Sequence, residues 1–66
     1  MSTHESEEEL KEEHRREVFR ALVEAEDFQE MPRPQARRLI ARRFGITETR
    51  VQEIEREGME RLWPPL

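Results

Sequence analysis

The stretch RRFGITETRVQEIEREGMERL, residues 42–62, decides the fold because it joins the end of one helix to the start of the next. Gly45 can adopt the left-handed backbone conformation that ends many helices. Thr47 is a good N-cap, and Glu48 then lies in a first turn, where a carboxylate interacts favourably with the helix dipole. The segment therefore predicts two helices joined by a short turn.

Apolar and small residues around this turn are spaced as a steep crossing of two helices requires. Ala41 stands where a larger side chain would push the helices apart, while Phe44 and Ile46 fill the wedge between them. The complete set is Ile40, Ala41, Phe44, Gly45, Ile46, Val51 and Ile54. This arrangement indicates a helix-turn-helix, whose second helix enters a DNA groove.

The rest of the chain predicts one more helix, which makes the protein an all-α, small three-helix domain. The predicted helices span residues 7–26, 34–44 and 48–62, within a single domain of residues 7–66. Ser6 and Glu9 fit a capping box at the start of the first helix. A disordered tail is expected over residues 1–6. Residues 27–33 break the helical pattern, and Pro34 suits the first position of a helix.

Helical spacing also predicts the core. The inward positions of the first helix are Leu10, His14, Val18, Phe19, Ala21, Leu22, Val23 and Ala25. Those of the second and third are Ala36, Leu39, Ile40, Phe44, Val51, Ile54, Gly58, Met59 and Leu62. Phe28 and Met31 are expected under the core, with Trp63 and Leu66 of the WPPL tail folded over it. Gly58 marks either a close helix crossing or a weak point, because glycine costs about 1 kcal/mol inside a helix.

Size and composition exclude several functional classes. A chain of 66 residues forms one domain and has no room for a deep substrate cleft beside its core. Cysteine is absent, no apolar run approaches the ~20 residues of a membrane span, and the acidic N-terminus is unlike a signal peptide. A soluble, cytoplasmic protein that does not contact membranes is expected. His4 and His14 lack further metal ligands, so no metal, cofactor or enzymatic activity is predicted.

Charge is distributed unevenly along the chain. Residues 1–30 hold 11 acids and 4 bases, whereas residues 31–66 hold 8 bases and 5 acids. Arginine makes up 11 of the 12 bases, and it is suited to bidentate contacts with phosphate. A local basic surface can therefore exist on a protein whose net charge is −4. The predicted phosphate contacts are Arg33, Arg37, Arg38, Arg42 and Arg43.

About a third of the chain, from Leu39 to Leu62, resembles the C-terminal promoter-binding region of bacterial primary sigma factors and related response-regulator domains. The resemblance lies in the frame I-A-x-x-F-G-I-T-x-x-R-V-x-x-I-E-x-x-G-M-x-x-L. It is carried by Ile40, Ala41, Phe44, Gly45, Ile46, Thr47, Arg50, Val51, Ile54, Glu55, Met59 and Leu62. In that family, the residues after the threonine read the promoter's upstream element through the major groove.

The resemblance implies which residues face DNA, although their identities depart from the family pattern. The groove positions are Thr47, Glu48, Thr49, Arg50, Gln52 and Glu53, with Arg50 nearer the backbone. The family has arginine where this chain has Glu48 and Gln52, and glutamine where it has Glu53, so the family's promoter sequence is not transferred. Glu57 is expected further along the same face. Glutamate can accept a hydrogen bond from cytosine N4, and glutamine can form hydrogen bonds with adenine. Glu53 can instead form an ion pair with Arg50 or Arg56.

Two other interpretations of the same features stay open. The arginine cluster can be a solvated surface that balances the acidic first helix within the molecule. Alternatively, the domain can be a protein adaptor that docks through the acidic first helix or the WPPL tail, with RNA polymerase or another protein as partner. The tail can also mediate dimerisation. Loss of DNA affinity as salt rises separates a DNA-binding protein from an adaptor.

Overall fold

Within residues 11–66, three helices follow one another: α1 (Glu12–Asp27), α2 (Arg33–Phe44) and α3 (Glu48–Arg61). The computed structural model describes residues 11–66, and this part of the chain contains no strand. Each helix packs against both of the others. The prediction of an all-α, three-helix domain is therefore confirmed.

Helix α1 begins later than the sequence predicts. Lys11, expected inside the helix, is its N-cap and has an extended backbone with φ −64° and ψ 155°. The Lys11 carbonyl accepts from the Arg15 N–H at 3.0 Å, and Glu12 and Glu13 occupy the first turn. Carboxylates there interact favourably with the helix dipole, which supports a start at this point. The predicted tail, the capping box and Leu10 lie outside the described residues.

Helix α2 begins at Arg33, one residue before the predicted Pro34, and ends at Phe44 as expected. Proline is tolerated in the first turn because the N–H groups there have no partner within the helix. Gly45 has φ 69°, and the Ala41 carbonyl accepts from the N–H groups of both Gly45 and Ile46. These bonds close the end of α2 and start the turn to α3.

Helix α3 has the N-cap that the sequence predicts. The Thr47 hydroxyl accepts from the Arg50 N–H at 3.0 Å. At the other end, the helix stops at Arg61 and not at Leu62, because Leu62 takes the left-handed conformation with φ 56°. This residue turns the chain so that Trp63 packs inward.

The core lies where the three helices meet. Its buried side chains include the predicted residues Phe19, Leu22, Ile40 and Ile54. Trp63 is also buried, as expected of a lid, and its ring meets that of Phe19 edge to face with centroids 6.0 Å apart. The guanidinium groups of Arg15 and Arg16 lie 6.0 and 5.3 Å from the Trp63 ring centroid. The C-terminal residues are thus tied to α1.

Gly58 marks a close helix crossing, which was one of its two predicted roles. It is buried, and a Cβ atom added to it would lie 2.7 Å from Cγ of Phe19. Real Cβ atoms do not approach carbon atoms so closely. The absence of a side chain therefore allows α3 to rest directly on the Phe19 ring.

Several residues predicted to face inward are exposed, namely His14, Phe28, Leu39, Met59, Leu62 and Leu66. Phe28 is 83% exposed because Met31 takes the place beneath the core, where its N–H donates to the Ala25 carbonyl. Leu62 is 72% exposed because its left-handed backbone directs the chain to Trp63. His14, Leu39 and Met59 fit the helical spacing of the apolar residues, but they lie beside the part of each helix that packs against its neighbours.

Candidate nucleic-acid interface

The outer surface of α3 carries the predicted groove residues. Glu48, Thr49, Gln52 and Glu53 are all exposed, while Val51, Ile54, Glu55 and Gly58 are buried on the opposite side. This division follows from the helical repeat, because residues three and four apart lie on one face. The N-terminal half of α3 is therefore accessible to a large ligand.

Thr47, Arg50 and Glu53 are linked by hydrogen bonds. The Arg50 N–H donates to the Thr47 hydroxyl, and Arg50 Nη1 donates to Glu53 Oε1 at 2.9 Å. This ion pair was one of the two predicted for Glu53. Arg50 offsets the charge of Glu53, and its own side chain is only 24% exposed. The pairing lowers the electrostatic cost of placing Glu53 near phosphate groups.

Three arginines of α2 are exposed, and we call them together the arginine face: Arg38, Arg42 and Arg43. Among the described residues, none of the three has a carboxylate within ion-pair distance. The guanidinium of Arg43 lies 5.8 Å from the Phe44 ring centroid. Arg33, at the start of α2, is also exposed and forms no ion pair within residues 11–66.

The arginines of α1 differ from those of the arginine face, because all three are paired with acids. Arg15 Nε donates to Glu57 at 2.8 Å, Arg16 bonds Glu12 and Arg20 bonds Glu24. No ion pair within residues 11–66 joins α2 to α1. The arginine face therefore does not balance the acidic first helix through direct ion pairs between the described residues.

Two residues predicted to face DNA form ion pairs within the molecule. Arg37 Nε donates to the carboxylate of Glu55, which is 7% exposed, at 3.1 Å. Arg37 thus neutralises a buried acid and is engaged inside the molecule. Glu57, expected further along the groove-facing surface of α3, forms a hydrogen-bonded ion pair with Arg15 of α1 and is only partly exposed.

Ionisation of two glutamates depends on their surroundings. Hydrogen bonds from Arg15 lower the pKa of Glu57, while the same contact raises the pKa of Arg15. Burial, together with the nearby Glu55 carboxylate, raises the pKa of Glu26. One carboxylate oxygen of Glu26 is buried without a hydrogen-bond partner. Protonation at low pH therefore destabilises the folded state at Glu57 and favours it at Glu26.

We expect the Arg15–Glu57 pair to contribute stability that is lost in acid. Because the pKa of Glu57 is lower in the folded state, this stability is present above the unfolded value of about 4.3 and disappears as the pH falls through the folded value. Glu57→Gln should lower the free energy of unfolding by about 1 kcal/mol at pH 7. The difference from wild type should shrink toward pH 3, measured by urea denaturation.

The control for this prediction is Glu24→Gln, which breaks the exposed pair with Arg20. Exposed pairs at this spacing contribute only about 0.3–0.5 kcal/mol. Equal losses in the two variants, or a Glu57→Gln difference that does not change with pH, would contradict the assignment.

An open groove that the sequence did not indicate lies between the first turn of α2 and the C-terminal half of α3. Arg33 and Arg37 line one side, and Gln52, Arg56 and Met59 line the other. Arg56 follows Gln52 by four residues, so its place on the same face could have been found from spacing. The contribution of α2 could not, because it depends on how the helices cross.

Comparisons with protein-family models, with characterised proteins and with solved structures find no match for this chain. Within residues 11–66, no helix combines the length and the apolar character that crossing a membrane requires. The same residues contain no cluster of three histidine or acidic side chains suited to a metal ion.

Proposed function

We propose that the protein is a non-enzymatic DNA-binding module of the helix-turn-helix type that acts in transcription. In this proposal, α3 enters the major groove and the arginine face contacts phosphates. The observation that carries it is the exposure of Arg38, Arg42 and Arg43 without acidic partners in the described chain.

The order of the helices supports this arrangement. In helix-turn-helix complexes the first helix crosses the DNA backbone, and the N-terminal residues of the second contact base edges. The turn of residues 45–47 brings the last turn of α2, which holds Arg42 and Arg43, next to the first turn of α3. The positively charged Arg42 and Arg43 are thus adjacent to the side chains of α3 that would contact DNA bases.

The acidic residues on α3 are compatible with this role. Arg50 already pairs with Glu53, and Glu48 occupies the helix N-terminus, where its charge interacts favourably with the dipole. Exposed Gln52 has the donor and acceptor needed to pair with adenine. Thr49 can contact a base or a thymine methyl group. Sequence preference then arises from Thr49, Gln52 and Glu53.

The test is binding of the full chain to mixed-sequence duplex DNA, measured by fluorescence anisotropy over a range of salt concentrations. The double substitution Arg42→Ala and Arg43→Ala should weaken binding to all sequences. It should also reduce the slope of log K against log salt by about 1.8, since each phosphate contact contributes about 0.9. Gln52→Ala should change the preference among sequences and leave the slope unaltered.

Arg20→Ala is the matched control, because Arg20 is also exposed but lies on α1 and pairs with Glu24. It should bind DNA as wild type does. A folded wild-type protein that ignores duplex DNA at low salt would remove the proposal. Unchanged binding by the arginine double variant would show that the interface lies elsewhere.

The second candidate function is a protein adaptor, which a specific observation also favours. Glu13 and Glu17 of α1 are exposed and form no ion pair within the described residues, so they are available to a basic partner. Docking through the WPPL tail would have to use Pro64, Pro65 and Leu66, which are exposed, because Trp63 is buried in the core. An adaptor would show no duplex affinity at low salt.

A further inference from the structure

The groove between α2 and α3 contains none of the residues of the arginine face and is lined by a different set of side chains. Arg33, in the first turn of α2, faces Arg56 and Met59 of α3 across it. It is open to solvent along its length. We call it the α2–α3 groove.

The charges that line the α2–α3 groove are predominantly positive. Arg37 and Glu55 neutralise each other through their hydrogen bond. Arg33 and Arg56 are exposed and form no ion pair within residues 11–66, although the charge of Arg33 acts on the Glu26 carboxylate of α1. Glu60 is the one remaining acid of the lining. Two guanidinium groups are thus available to an anionic ligand.

The groove also offers an apolar contact. Met59 is 46% exposed and belongs to the same lining, three residues after Arg56 on α3. A methionine side chain is flexible and polarizable, so it adapts to varied apolar partners. The lining therefore combines guanidinium groups with an apolar surface.

We propose that the α2–α3 groove binds an acidic peptide segment of a partner protein, which inserts an apolar side chain against Met59 and places carboxylates on Arg33 and Arg56. Guanidinium and carboxylate groups form paired, charge-assisted hydrogen bonds of complementary geometry. A DNA phosphate fits this lining less well, because it has no apolar group to place against Met59. The proposal does not depend on DNA binding.

Gln52 belongs both to the groove lining and to the proposed base-reading surface. A peptide seated against Gln52 would hinder the approach of DNA to α3. The two ligands would therefore compete, and a partner carrying such a segment would regulate DNA binding.

The test is an NMR titration of the full, isotope-labelled chain with a short synthetic peptide that carries glutamates on both sides of one central leucine. A peptide with glutamines in place of the glutamates serves as the control ligand. We expect amide shifts at Arg33 and at residues 52–60, and no shifts with the control peptide. Arg56→Glu and Met59→Gln should each weaken binding by about tenfold. Both residues are exposed, so both variants should fold.

Arg43→Glu is the matched variant, since Arg43 is exposed but outside the groove. It should leave peptide binding unchanged while weakening any DNA binding, so the two proposals can fail separately. Absence of shifts with the acidic peptide, or wild-type affinity for it in the Arg56→Glu and Met59→Gln variants, would overturn the inference. Shifts at Met59 caused by duplex DNA and not by the peptide would assign the groove to the DNA interface.

Discussion

Trp63→Ala is expected to remove a large share of the free energy of unfolding of this protein. Trp63 is 2% exposed and packs edge to face on Phe19, with the guanidinium groups of Arg15 and Arg16 near its ring. Removing a buried aromatic side chain costs about 3–5 kcal/mol. A domain of this length has a total stability of about 3–10 kcal/mol, so the loss is a large share of it.

Circular dichroism during thermal and urea denaturation would measure this effect. Leu66→Ala is the control, because Leu66 belongs to the same C-terminal tail but is 59% exposed. Its free energy of unfolding should stay close to that of wild type. A cooperative Trp63→Ala transition within about 1 kcal/mol of wild type would show that the tail does not contribute to the core.

Gly58→Val is expected to destabilise the protein by about 3 kcal/mol, through a steric conflict with Phe19. An added Cβ would lie 2.5 Å from Cε1 and 2.7 Å from Cγ of that ring. Phe19 is 1% exposed, so its ring cannot move without disturbing its neighbours. Gly58→Ala should lose less, because alanine favours helix formation by about 1 kcal/mol over glycine.

Urea denaturation of the two variants would test this explanation, with Met59→Ala as the control at the exposed neighbouring position. A double variant of Gly58→Ala with Phe19→Leu supplies a sharper test. If the clash is the cause, the two substitutions should be non-additive, since the smaller side chain relieves the conflict. Strict additivity would mean that Gly58 acts only through helix propensity.

Much of the local structure follows from neighbouring residues. Gly45, Thr47 and Glu48 determine where α2 ends and α3 begins, because each forms or favours interactions with its own backbone surroundings. Helical spacing likewise placed Val18, Leu22 and Ile54 in the core. The pairing of Arg50 with Glu53 was predictable for the same reason, since three-residue spacing brings the two side chains together.

The candidate site was only partly predictable. Exposure of Thr49, Gln52 and Glu53 followed from the periodicity of α3. The internal role of Arg37 did not, because its partner Glu55 is distant in sequence and belongs to another helix. Whether an arginine is exposed and unpaired depends on which carboxylates the folded chain brings within reach.

The sequence by itself determined three helices, the turn between the second and third, and the arginine-rich character of the second. These features depend on backbone propensity, capping and helical periodicity, which act over a few residues. Only the tertiary structure decided that Trp63 is covered by α1, that Gly58 rests on Phe19, and that α2 and α3 together line a groove with arginines. The physical reason is that these features arise from contacts between helices, whose crossing and closest approach depend on all the packed side chains together.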